Sequence, residues 1–184
     1  MQIIDLALPD VKLVQLKVHG DARGFFIETY RKADWQPILG ERSFVQDNQS
    51  LSGAAGTVRG LHYQLPPFAQ GKLVQALRGR ILDVAVDLRV SSPTFGKAFT
   101  IELSVENKTQ LFVPIGFAHG FATLSEYCEV QYKQTEFYRP ETEGGIAWND
   151  PDVGIAWPYA NPTLSKRDQA QRSLKAYREN PAFE

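Results

Sequence analysis

One histidine, His62, stands in Gly56-Thr57-Val58-Arg59-Gly60-Leu61-His62-Tyr63-Gln64, two residues after a glycine and three after an arginine, in a chain with only three histidines. If Arg59 to Gln64 run as a strand, side chains alternate. Gly60, His62 and Gln64 then share one face, and Arg59, Leu61 and Tyr63 the other. Imidazole, with a pKa of about 6.5, takes up or releases a proton near neutrality. The placement suggests a base on a polar interior face; the alternative is a buried histidine that is merely hydrogen-bonded.

Other residues supply the remaining parts of a proton-transfer site. Lys72, in Gly71-Lys72-Leu73-Val74, is a candidate electrostatic stabiliser, and Tyr132, in Val130-Gln131-Tyr132-Lys133, a candidate acid. Arg23, Arg59 and Lys72, with Gln46, Asn48 and His119, follow or sit among glycines and strand ends, where side chains can converge on one cavity. Such a cluster suits an anionic ligand such as a diphosphate, since guanidinium groups grip phosphate with two hydrogen bonds. Tyr138 and Trp148 are candidates to stack on a nucleobase.

A metal site is the competing chemistry. Pro114-x-Gly116-x-x-His119 resembles the second metal-binding motif of cupins, which is usually accompanied by an earlier His-x-His pair. Here that strand reads His62-Tyr63-Gln64, and no third nitrogen or thiolate ligand stands nearby, so a transition-metal site is short of ligands. No metal and no cofactor are expected.

The elements that must hold these residues are mostly strands. Short apolar or alternating runs between Gly, Pro, Asn and Ser clusters recur from Val11 to about Tyr138, the pattern of an antiparallel all-β sandwich or barrel. In the clearest, Arg80 to Arg89, Leu82, Val84, Val86 and Leu88 fall on a packing face, and Asp83, Asp87 and Arg89 on a polar one. That polar face is either solvated or, in a barrel, lines a ligand cavity. Lys97 to Leu103 reads as another strand, and Pro114 with Gly116 forces a corner that presents His119. Two short helices are expected: Thr29 to Leu39, ending near Pro37, and one opening at Ser165 and running towards Tyr177. Ser165 and Asp168 have the spacing of a capping box.

The 184 residues read as a single domain, with 43% hydrophobic and 22% charged residues. A net charge of −1 argues against general affinity for nucleic acid or acidic membranes. The single cysteine, Cys128, allows no internal disulfide and fits a reducing compartment, the cytoplasm by default. No signal peptide and no apolar run of membrane-spanning length is read.

Four stretches carry a further pattern: Asp21-Ala22-Arg23-Gly24-Phe25-Phe26-Ile27-Glu28, Gln46-Asp47-Asn48-Gln49-Ser50, Val58 to Gln64, and Pro114-Ile115-Gly116-Phe117-Ala118-His119-Gly120-Phe121. In this order, over nearly the whole chain, they resemble the dTDP-4-dehydrorhamnose 3,5-epimerases. The resemblance implies a cupin-type jelly roll, a metal-independent homodimer, and inversion of C3 and C5 of dTDP-4-dehydro-6-deoxy-D-glucose. By position it implies His62 as base, Tyr132 as acid and Lys72 as stabiliser of the enolate. Arg23, Glu28, Asn48, Arg59, His119 and Glu143 would hold the nucleotide sugar, with Gln46 and Asp47 beside Asn48 and Tyr138 stacking on thymine. Arg167 stands where the family tends to carry a Lys beside the ligand. Asp168 is implied as the partner of His62; on sequence grounds Asp83 is the alternative.

The chemistry agrees with these roles. A C4 ketone acidifies the protons on C3 and C5, yet histidine removes them only if a cation stabilises the developing enolate. Inversion also needs an acid on the face opposite the base, an assistance contributing roughly 10² to 10⁴ in rate.

Overall fold

The structure is a computed structural model that describes every residue except Pro9. One antiparallel sheet is ordered β1 (Gln2–Asp5), β2 (Lys12–Gln15), β10 (Thr109–Val113), β7 (Lys72–Arg78), β12 (Cys128–Gln134) and β5 (Gln46–Ser52). The facing sheet is ordered β13 (Glu143–Gly145), β6 (Val58–Gln64), β11 (Phe117–Thr123), β8 (Arg80–Asp87) and β9 (Ala98–Ser104). A separate hairpin joins β3 (Val18–Asp21) to β4 (Gly24–Ile27). Sheet neighbours distant in sequence, such as β2 with β10 and β6 with β11, make this a jelly roll.

The inward rows of the two sheets change character along their length. Val74, Ala76, Leu111, Cys128 and Val130 of one sheet pack against Ile81, Ala85, Leu103, Phe117 and Phe121 of the other. On the same strand faces stand Lys72, Tyr132 and Gln134 on one side, and His62, Asp83 and His119 on the other. One set of strands therefore builds both the apolar core and most of a polar cavity, which the segment from Thr163 to Asp168 completes.

β8 shows how this works. Val84, Val86 and Leu88 pack outward beneath Leu174, Tyr177 and Phe183, while Leu82 at the rim is partly exposed. The polar face is not solvated, because Asp83 and Asp87 are both fully buried. Asp87 accepts hydrogen bonds from Arg89, Ser92 and Thr94 that close the following loop. Asp83 turns inward behind His119, which stands between it and the cavity.

The helices depart from the sequence expectation at their ends. α1 spans Lys32–Leu39 and contains Pro37, ending instead at Gly40, whose φ of 61° is left-handed and whose N–H reaches Gln36 O at 2.9 Å. What holds the helix past its proline is burial: Trp35 and Leu39 pack on Val14, Leu73 and Phe112 outside the first sheet. The single C-terminal helix is instead two, α2 (Lys166–Gln169) and α3 (Leu174–Glu179), each capped by a serine, Ser165 and Ser173. The break arises because the backbone of Arg172 bridges to Ile146 and accepts from Ala147 N–H at 2.8 Å. That bridge pins α2 against the edge of the second sheet.

Candidate active site

His62 sits near the middle of β6, its side chain 17% exposed. Simple alternation puts Arg59 on the opposite face, yet both line one cavity. The register explains this: His62 pairs with His119 but Arg59 with Phe121, so β6 carries one extra residue between them. Gly60 is the residue that permits the bulge. Its φ is +126°, and a Cβ there would lie 2.6 Å from Gly120 Cα and 2.8 Å from His119 O. Arg59 Nε donates to Ser52 Oγ at 3.0 Å and its Nη2 to Leu51 O at 3.2 Å, which fixes the guanidinium over the edge strand β5.

His62 Nε2 lies 2.5 Å from Asp168 Oδ1. Ser165 caps α2 by accepting from Asp168 N–H at 3.1 Å and donates its hydroxyl to Asp168 Oδ2 at 2.8 Å. The capping role and the pairing with His62 therefore coexist: the backbone of Asp168 satisfies the cap, and its carboxylate spans Ser165 and the imidazole. Burial alone would raise the carboxyl pKa, but the hydrogen bonds from His62 and Ser165 and the charge of Arg167 hold it below its ordinary value. An ionised Asp168 makes His62 Nε2 the donor and leaves Nδ1 as the basic nitrogen. Burial pushes the His62 pKa down; Asp168 opposes this, and the charges of Lys72 and Arg167 add to it.

Asp83 does not meet His62. It lies 2.8 Å from His119 Nε2, behind the ring that its strand neighbour presents to the cavity. The corner expected to present His119 is at Pro114 to Gly116, and His119 itself lies buried within β11.

Two adjoining cavities, of about 530 and 320 Å³, share His62, Lys72, Tyr132 and Arg167. Arg59, His119, Thr163 and Asp168 line the first; Gln46, Asn48, Tyr138 and Glu143 line the second. Burial lowers the Lys72 pKa to about 8, against the charges of Glu143 and Asp83 and with that of Arg167. Burial raises the Tyr132 pKa, so its hydroxyl keeps the proton at neutral pH. Glu143 accepts from Arg167 Nη1 and, at 3.2 Å, from Tyr138 OH. A larger hollow of about 770 Å³, between α1, β1 and β2, has no histidine or tyrosine among the described residues that line it.

Not every expected residue is here. Asp47 points away from the cavity, because alternation on β5 sends Gln46 and Asn48 inward, and it pairs with Lys133 at 2.9 Å. Arg23 and Glu28 line neither cavity; exposed at either end of β4, they pair with Asp21 and Arg31. Trp148 is engaged elsewhere, its carbonyl accepting from Trp157 Nε1 at 2.6 Å.

Conversely, Gln134 and Gln70 were not expected and line the second cavity. Asn48 donates to Gln134 at 2.6 Å, Gln134 to Gln70, and Gln70 to Glu136 O at 3.1 Å. Gln64 stands where a cupin would place its second histidine, and accepts from Arg139 N at 2.9 Å while donating to Phe137 O at 3.0 Å. These amides pin the segment that carries Tyr138. The signal for Gln134 was its period-two spacing from Tyr132 on β12; Gln70, in the loop before β7, had none.

A family model described as dTDP-4-dehydrorhamnose 3,5-epimerase matches residues 5–176. The chain belongs to the dTDP-4-dehydrorhamnose 3,5-epimerase family. A dTDP-4-dehydrorhamnose 3,5-epimerase from Pseudomonas aeruginosa is 51% identical, the match covering 100% of this chain and 99% of the relative. One from Salmonella typhimurium is also 51% identical, over 92% of this chain and 93% of its own. The crystal structure of a dTDP-6-deoxy-D-glucose-3,5-epimerase from Legionella pneumophila in complex with dTDP-4-keto-L-rhamnose superposes with a TM-score of 0.90. That chain is 44% identical, with 95% of this chain and 93% of that one covered. Within the 3,5-epimerase family, the two-cavity arrangement described above is what this chain has to work with.

Proposed function

We propose that this protein inverts C3 and C5 of dTDP-4-dehydro-6-deoxy-D-glucose to give dTDP-4-dehydro-L-rhamnose, a step towards dTDP-L-rhamnose. One observation carries the mechanism: His62 enters the cavity from one sheet while Lys72 and Tyr132 enter from the facing sheet. A hexose held between the sheets presents one face to a base and the other to an acid. His62 Nδ1 takes the proton from the carbon beside the ketone, Asp168 stabilises the imidazolium, and the Lys72 ammonium stabilises the enolate oxygen. Tyr132 then donates from the opposite side, which inverts the centre. Arg59, His119, Asn48 and Glu143 hold the nucleotide sugar, with Tyr138 stacking on the base.

We also propose a cytoplasmic homodimer. The β3–β4 hairpin leaves Phe25 and Phe26 63% and 69% exposed and pairs with neither main sheet, a marginal state for two strands in water. A second copy gives that hairpin a surface to cover, and gives Arg23 and Glu28 a route to a nucleotide-binding cavity. Sedimentation equilibrium reads the mass; a monomer at micromolar concentration overturns the dimer.

The catalytic reading is tested by incubating the protein with the 4-keto nucleotide sugar in D₂O. Deuterium at both C3 and C5 is expected. Label at one carbon makes it a mono-epimerase, and no label removes the enzymatic reading.

A further inference from the structure

Behind His62, the next side chain of β6 is buried in the outer apolar cluster. Tyr63 packs edge-on against Tyr177 and Phe183, with ring centres 5.8 and 5.6 Å away, and its hydroxyl accepts from Arg172 Nη2 at 2.7 Å. Arg172 is itself held, since Nη1 donates to Asn180 O at 3.1 Å and the guanidinium lies 4.8 Å from the centre of the Tyr177 ring. A ring engaged on three sides cannot yield as a free side chain would.

Two segments that deliver carboxylates to the site lean on this pair. Gly144 of β13 is the register partner of Tyr63, and a Cβ on it would meet Tyr63 Cε2 and Cζ at 2.5 Å, so the strand lies directly against the ring. β13 is a three-residue edge strand in which Glu143 is followed by two glycines. Glycine gives an edge strand nothing to pack, and the aromatic ring across from it supplies that contact. On the other side, the backbone of Arg172 bridges to Ile146 and accepts from Ala147 N–H at 2.8 Å, just after α2 and Asp168.

We propose that Tyr63 and Arg172 are positioning residues: they form a clamp behind β6 that places Glu143 through Gly144 and Asp168 through the short chain back to α2. This rests on the function proposed above. Proton transfer depends on such placement, because a shift of about 1 Å in a catalytic group can cost on the order of 10²-fold in rate. The groups that face His62 are Asp168 and Arg167 on α2, Lys72 on β7, His119 on β11, Tyr132 on β12 and Glu143 on β13. Those on α2 and β13 ride on the clamp, and the others sit on inner strands. Asp168 outweighs Arg167 in its hold on the ring, so a loosened clamp leaves His62 less basic.

Steady-state kinetics and an NMR titration of the His62 ring, assigned through His62→Asn, test the clamp in Tyr63→Phe, Arg172→Met and the double variant. Each single change is expected to lower kcat roughly 10- to 10²-fold and the His62 midpoint by about half a pH unit. The double variant should be no worse than the more damaged single one, since both remove the same contact. Gly144→Ala keeps both clamp side chains but forces β13 off the ring, and should raise KM. Tyr177→Phe is the control: its hydroxyl donates to Leu88 O and accepts from the N–H groups of Ala182 and Phe183, none of them on β13 or α2. It should lower the melting temperature and leave the His62 midpoint in place. Wild-type kcat and midpoint in Tyr63→Phe, multiplied losses in the double variant, an unchanged KM in Gly144→Ala, or an equal midpoint shift in Tyr177→Phe would each overturn the clamp. Absence of deuterium exchange in the wild type overturns the proposed function instead, and the His62 midpoint, which needs no substrate, still reads the hold on Asp168.

Discussion

His62 and His119 are register partners on neighbouring strands, and each turns Nε2 towards a buried carboxylate, Asp168 at 2.5 Å and Asp83 at 2.8 Å. The two pairs are alike in geometry and differ in company. Arg167 reaches the first ring, while the second stands between β6 and β8 with Asp83 wholly buried behind it. Asp168→Asn should therefore act on turnover: the amide keeps the contact but neither stabilises the imidazolium nor fixes the tautomer, and kcat falls on the order of 10³-fold. Asp83→Ala should act on binding and stability. It leaves a buried imidazole nitrogen without a partner, at about 1–3 kcal/mol, and raises KM more than it lowers kcat. Steady-state kinetics with thermal melts on both variants separate the two; a kcat loss for Asp83→Ala matching that of Asp168→Asn would place His119 in the chemistry.

Tyr132 pairs in register with Asn48 on one side and Val74 on the other, facing the cavity from the sheet opposite His62. In the proposed mechanism, replacing it with Phe removes the acid and leaves the base. His62 in Tyr132→Phe should still remove protons and return solvent deuterium to the same face, so exchange outlasts inversion. Product formation is expected to fall roughly 10²- to 10⁴-fold, with deuterium accumulating in unchanged substrate. Mass spectrometry of recovered substrate decides it, because exchange and inversion lost in equal measure would mean that Tyr132 does not act as the acid.

Sequence pattern revealed the parts of this site better than their phases. Alternation put His62 on a polar interior face, glycines and strand ends marked Lys72 and Asn48 as residues that could converge with it, and the spacing of Ser165 and Asp168 located the cap of α2. It failed at Arg59, whose face depends on one extra residue in β6, a register fact visible only once β11 is alongside. It failed again at the C-terminal helix, which is cut by a backbone bridge between Arg172 and a distant strand edge. The choice between Asp83 and Asp168 was undecided for the same reason: both spacings allow contact with a histidine, and only strand order assigns each to its own.

The proposed mechanism needs His62 neutral and Lys72 charged, which sets a window. The acid limb follows His62, held below about 6.5 by burial, and the basic limb follows Lys72, lowered to about 8. The rate should be bell-shaped, and Lys72→Arg should move the basic limb upward by keeping the cation charged, even if the maximum drops. Stability carries the opposite sign. Because the folded pKa of Lys72 lies below its ordinary 10.5, burying the ammonium opposes folding. The penalty is full below pH 8, shrinks as pH rises from 8 to 10.5, and is absent above. Lys72→Met should then be inactive yet more stable at pH 7, by on the order of 2 kcal/mol after allowing for partial exposure, with the gain vanishing at high pH. Denaturant melts at pH 7 and pH 10 read both.

Gly60 ties the fold to the site. A Cβ there meets the backbone of Gly120 and His119 at 2.6 and 2.8 Å, atoms that cannot yield as a flexible side chain would, and the φ of +126° is itself unfavourable for any other residue. Gly60→Ala must either force β6 from β11 or abolish the bulge. The first destabilises the protein by about 2–4 kcal/mol, and the second returns Arg59 to the outer face and removes a cation from the cavity. Both outcomes raise KM for the nucleotide sugar, since Arg59 leaves its seat against Ser52 Oγ and Leu51 O. Arg59→Ala is the control, because it removes the guanidinium and leaves the bulge intact. Its KM should rise about as far as that of Gly60→Ala, whereas its melting temperature should stay near that of the wild type. A Gly60→Ala protein with wild-type melting and wild-type KM would show that the bulge neither requires glycine nor sets the position of Arg59.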